Sequence, residues 1–142
     1  VAGTSIAIST ETFNKASDKS WIRTRMGLDT MLPIMLDISA FDAEHVQNGY
    51  IPSGIALGKI TASGKYAPYD DAALDGTQAL AGHLFEEVKV VDKATDPDVG
   101  AALFWTGVVR EANLPAFTGT GNAKGEVDAN GKADVSAWIK YV

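Results

Sequence analysis

The run Ala101–Val109 (AALFWTGVV) decides the fold class, because its aromatic, β-branched and small apolar residues carry no helical periodicity. Working outward, Ala79–Val91 carries alternating apolar residues at Leu84, Phe85, Val88 and Val90, which reads as a second strand region. Met31–Ile38 (MLPIMLDI) is a short apolar run whose Pro33 argues for a sheet edge or a strand start. Ile55, Leu57 and Lys59 alternate with Ala56, Gly58 and Ile60, and that strand is expected to close at Ser63-Gly64. Asn48-Gly49 and Ser53-Gly54 bracket Tyr50-Ile51-Pro52 as a turn region. Helical signals are few. Asp70–Leu74 and Arg110–Leu114 have room for a turn or two, and Lys132–Trp138 for a short helix before a last strand, Ile139–Val142. Thr118–Asn130 is a Gly/Asn-rich connection. The reading is a β-dominated α+β domain.

Residues 1–30 differ from the rest. Val1–Ser20 is rich in Ser, Thr, Ala and Asn, with Ala2, Thr4, Ile6 and Ile8 alternating against Gly3, Ser5, Ala7 and Ser9. Such a segment buries too little to fold alone, so 1–30 is expected to be an extended N-terminal arm and 31–142 the β-rich domain.

Composition narrows the function classes. The 142 residues include 34 Leu, Ile, Val and Phe, enough for one core, and no cysteine. Disulfide scaffolds, thiolate metal sites and thiol nucleophiles are thereby excluded. A net charge of −6, with one diluted basic cluster at Lys19, Arg23 and Arg25, argues against nucleic acid and anionic membranes as partners. The longest stretch without Asp, Glu, Lys or Arg is His45–Gly58, 14 residues broken by Pro52 and Gly54, too short to span a bilayer. No basic region followed by an apolar core opens the chain, so no secretory signal is expected in it.

Catalytic signatures are weak. His45 and His83 stand far apart, without metal-ligand spacing, and are expected in a polar turn and as a packed or edge strand residue. Ser53 and Ser63 precede turn glycines rather than forming a nucleophile elbow. Asp70-Asp71 and Glu86-Glu87 supply carboxylate pairs, but solvated turns and faces account for them more simply than glycosidase chemistry. Gly119–Gly125 misses the dinucleotide spacing and Gly125–Ala133 misses the P-loop. Asp128–Asp134 has its glycine and a cation misplaced for a calcium loop, and is read as an Asn-Gly turn. No catalytic residue, cofactor or metal is expected. The aromatic set Trp21, Trp105, Trp138, Tyr50, Tyr66, Tyr69 and Tyr141 suits core and interface anchors, or else a carbohydrate platform.

The order of several stretches is more telling. Tyr50–Tyr69 (YIPSGIALGKITASGKYAPY) is followed by Asp75-Gly76, then Ala81–Val88 (AGHLFEEV), then Gly107–Pro115 (GVVREANLP). Together with Met35-Leu36-Asp37 after a proline and a terminal Ile-x-x-Val strand, this resembles the head decoration proteins of tailed bacteriophages, the family of the lambda head protein D. Ser9-Thr10-Glu11-Thr12-Phe13 is similar to an S-x-E-T-F found early in the lambda protein. The likeness covers roughly residues 31–142 in the wider family and is patchy to the lambda protein itself.

The resemblance implies a compact β-barrel-like or β-tulip domain with short helices, and a structural protein rather than an enzyme. It implies a homotrimeric capsid cement protein on the outer surface of the expanded virion head, made in the bacterial cytoplasm. Its partner is then the major capsid protein, engaged through the arm residues Thr4, Ile6, Ile8, Thr10, Glu11, Thr12 and Phe13. A surface-displayed glycan-binding module is the alternative, and a small hydrolase using an acidic pair a third.

Overall fold

The computed structural model describes residues 17–117 and 124–142. The expected arm residues Thr4, Ile6, Ile8, Thr10, Glu11, Thr12 and Phe13, and the middle of the Thr118–Asn130 connection, lie outside the described residues. The rest is β-dominated, as the run Ala101–Val109 predicts. The strands are β1 (Leu32–Leu36), β2 (Tyr50–Ile51), β3 (Ala56–Lys59), β4 (Tyr66–Pro68), β5 (Leu80–Leu84), β6 (Val88–Lys89), β7 (Val99–Phe104), β8 (Gly107–Val109) and β9 (Ile139–Tyr141). Single 3-10 turns occupy Ile38–Ala40, Ala43–His45 and Glu111–Asn113, and the described residues hold one α-helix, α1 (Ala129–Asp134).

Five strands close a small barrel in the order β1-β4-β3-β5-β7, with β2-β6 and β8-β9 as two-stranded ribbons outside it. Most neighbours are antiparallel. The seam between β1 and β4 is parallel and one residue pair long, Leu36 opposite Tyr66. Asp98 staples it. Its carboxylate accepts the Ile38 N–H just past β1 (3.2 Å) and the Lys65 ammonium just before β4 (2.5 Å). That hydrogen bond holds the Asp98 carboxyl below, and the Lys65 amine above, their ordinary ranges.

Several elements fall elsewhere than the sequence reading has them. Ala101–Val109 is two strands, because Gly107 adopts φ +140° and its Cβ position is filled by the Phe104 ring and the Met26 carbonyl. Ala79–Val91 likewise splits into β5 and β6. Tyr50-Ile51 pairs with Lys89 and Val88 as a strand instead of a bare turn. Asp70–Leu74 is a turn, not a helix. The last helix starts earlier than Lys132, because Asp128 accepts the Gly131 N–H (2.8 Å) as its N-cap, and it ends at Asp134 before Val135 leaves helical backbone. Asn130-Gly131 therefore sits inside a helix and is no turn.

The boundary at residue 30 also moves. Residues 17–30 pack into the domain, with Trp21 fully buried among Phe104, Val109 and Ile139 in one of two apolar clusters. The other cluster fills the barrel with Leu36, Ile51, Ile55, Leu57, Leu84 and Leu103. A lone tryptophan in a Ser/Thr-rich segment has no periodicity to announce its burial. Its partners are supplied only by the folded strands.

Candidate assembly surface

The residues following the expected arm have a rigid root. Trp21 donates its indole N–H to Ser53 Oγ (3.1 Å), and Ser53 in turn donates to the Phe85 carbonyl (2.5 Å). The indole meets Phe104 edge-on at 5.1 Å between ring centroids and lies 5.7 Å from His83. Backbone bonds from Arg23 N–H to Val108 and from Arg110 N–H to the Trp21 carbonyl fix both sides of this anchor. Two residues upstream, Lys19 pairs with Glu87 (3.4 Å) and places its ammonium 5.5 Å from the Phe85 ring centroid.

Both histidines are buried and committed. His83 donates from Nδ1 to the Gly54 carbonyl (2.8 Å), which leaves Nε2 to accept the Tyr141 hydroxyl (2.6 Å). Burial lowers the His83 pKa to about 4 and raises that of Tyr141, the latter with help from Glu111. The two shifts diverge, so no proton moves between these groups near neutrality. The pair clamps the β2–β3 connection, β5 and β9 together. Beside it lies a cavity of about 240 Å³ walled by Leu114, Pro115 and Val127 and rimmed by Glu111 and Glu126.

His45 is not in a polar turn as expected but fully buried. Its Nδ1 accepts the Asp42 N–H and its Nε2 donates to the Lys124 carbonyl, both at 2.9 Å. Asp42, Glu44 and His45 come close enough to suggest a metal, yet both ring nitrogens are occupied by these bonds. The carboxylate pairs serve the surface: Asp70 caps a turn at Ala72, Asp71 accepts from Asn130, Glu87 holds Lys19 and Glu86 is exposed.

The aromatic set is divided. Trp21 and Tyr69 are closed into the core. Trp105 and Trp138 meet at the surface, 5.5 Å apart and 60° between planes, with Trp138 57% exposed. Met26, Leu32 and Met35 are also exposed. A separate slot of about 610 Å³ lies between β6 and β7, its walls including Met31, Phe85, Val88, Val99, Gly100 and Ala102. No sequence pattern marks this slot. It arises from the divergence of two elements that the sequence reads as one strand. Comparison of the chain with protein-family models, with curated proteins and with solved structures gives no match.

Proposed function

We propose that the chain is a capsid decoration protein. It binds the exterior of the expanded head of a tailed bacteriophage as trimers at three-fold and quasi-three-fold positions, and stabilises the shell against packaged DNA. The reading starts from the order of Tyr50–Tyr69, Ala81–Val88 and Gly107–Pro115 in the sequence. The structural observation that supports it is the rigid root at Trp21. A cement protein needs a tether whose base does not give, so that contacts made by Thr4–Phe13 load the folded domain. Three such tethers on one trimer gain avidity of ~10²–10⁴ without strong individual contacts. Exposed Met26, Leu32, Met35 and Trp138 suit a protein that closes against copies and a shell.

The test is co-sedimentation of the full chain, and of the full chain with Ile6→Asp and Ile8→Asp, with expanded and unexpanded shells. The expected result is binding of the unaltered chain to expanded shells only, and loss of most of that binding in the double variant. Light scattering is expected to give about 45 kDa, three chains of 15.0 kDa, in solution or after release from the shell. Equal binding by both proteins would remove the arm from the mechanism. No binding to any shell, with saturable binding of a simple sugar quenching the Trp105–Trp138 pair, would favour the glycan-binding alternative.

A further inference from the structure

The slot between β6 and β7 has two unpaired backbone edges, and their directions follow from the pairing around them. Pro33 stands opposite Ala102 across β1–β7 and has no N–H to give. Ala102 instead accepts the Phe85 N–H from the other side. Backbone groups alternate along a strand, so Gly100, two residues away, also presents its N–H and C=O away from β1 and into the slot. On the opposite wall Val90 donates to Gly49, which turns Val90 and Val88 toward β2 and Lys89 toward the slot. Among the described residues no backbone partner meets Gly100 or Lys89 there. Gly100 is exposed, and a side chain on it would meet nothing closer than the Ile34 carbonyl at 3.9 Å. An open, apolar-lined edge of this kind is a template for one more strand.

We propose that the slot receives residues 1–16 of the same chain as an added strand, with Ile6 and Ile8 facing its apolar walls. Three observations select this occupant. The described chain begins at Ser17, and Lys19 already sits at the slot's mouth on Glu87 and over Phe85, two of its wall residues. The preceding residues alternate apolar and small polar from Ala2 to Ser9, the pattern an edge strand requires. A segment tethered this closely docks at an effective concentration in the millimolar range, which favours its own slot over that of another copy. The segment assigned to the capsid thereby has a resting place on the domain and leaves it when a better edge is offered. Capsid affinity and slot occupancy are read by different measurements, so either can fail without the other.

The test is residue-resolved amide exchange on the full chain and on its Ile6→Asp/Ile8→Asp double variant, each at two concentrations about tenfold apart. Gly100 and Lys89 amides are expected to be protected at least ~10-fold more in the unaltered chain, at both concentrations. Ala101, whose backbone faces Ile34 on β1, is expected to be unchanged and reports an intact barrel. A synthetic peptide of residues 1–16 added to the double variant is expected to shift Gly100 and Lys89 saturably. Equal exchange of these amides in both proteins overturns the proposal, as does a peptide that shifts neither. Protection that fades on dilution also overturns it, and hands the slot to the segment of a second copy.

Discussion

Ile51–Gly58 and Val99–Ala102 make an instructive pair. The first contains a proline, a serine and two glycines, yet all eight of its residues are buried. The second belongs to the most strand-like run in the chain, yet Gly100 is exposed and its neighbours are only half-covered. Composition does not separate them in this way; surroundings do. Ile51–Gly58 threads between β4, β5, Trp21 and the loop at Thr77, which cover it from every side. Val99–Ala102 is paired along β1 on one side only. Burial here is a property of the neighbours a segment finds.

The contrast breaks most severely if the cover of the closed region is removed. Trp21→Ala deletes the largest fully buried side chain and its bond to Ser53, and is expected to cost ~3–5 kcal/mol, read from the urea midpoint. Acid attacks the same region through His83, which rests on the Gly54 carbonyl. Burial lowers its folded pKa from 6.5 to about 4, so the unfolded chain takes up the proton first. Stability is fully present above pH 6.5 and declines as the pH falls toward 4, by a total on the order of 3 kcal/mol. Urea midpoints measured across that window, with His83→Gln as the comparison, check it; a variant that keeps the same slope would assign the loss to other groups.

A matched pair of glycines sharpens the contrast at smaller scale. A Cβ on Gly58 would lie 2.6 Å from Thr77 Cα and 2.7 Å from its carbonyl oxygen, backbone that has nowhere to go. Gly58→Ala is therefore expected to cost ~1–3 kcal/mol. Gly100→Ala meets open space and is expected to change stability by no more than ~0.5 kcal/mol in either direction. Equal losses at both positions would mean that the edge at Gly100 is covered as tightly as the closed region.

Much of the fold is legible in the residue order. The strand-forming runs announce β1, β3, β5 and β7, and Pro115 and Asp128 mark real boundaries. What escapes the sequence is where a run is cut and what it meets. Nothing local shows that Gly107 divides Ala101–Val109, since that requires the Phe104 ring and the Met26 carbonyl to be in place. Trp21 and His45 look peripheral because their partners, Ser53 and Phe85 for one, the Lys124 carbonyl for the other, are distant in sequence. The site is less legible than the fold. Thr4–Phe13 stand out by composition, but the slot and the paired Trp105 and Trp138 exist only once strands have diverged and β9 has docked.

The pairing of β1 with β7 also sets the tempo of folding. Leu32 needs Leu103, Trp21 needs Phe104 and Val109, and Gly107 needs Ile139, so early residues wait for late ones. Loop closure on this scale must be completed before any of these contacts can reward it, which places the domain among the slow, non-local topologies that fold in milliseconds to seconds. A chain emerging from the ribosome therefore carries Leu32–Leu36 unpartnered until residue 104 has followed it, and the barrel forms in one late, concerted closure after synthesis is nearly done.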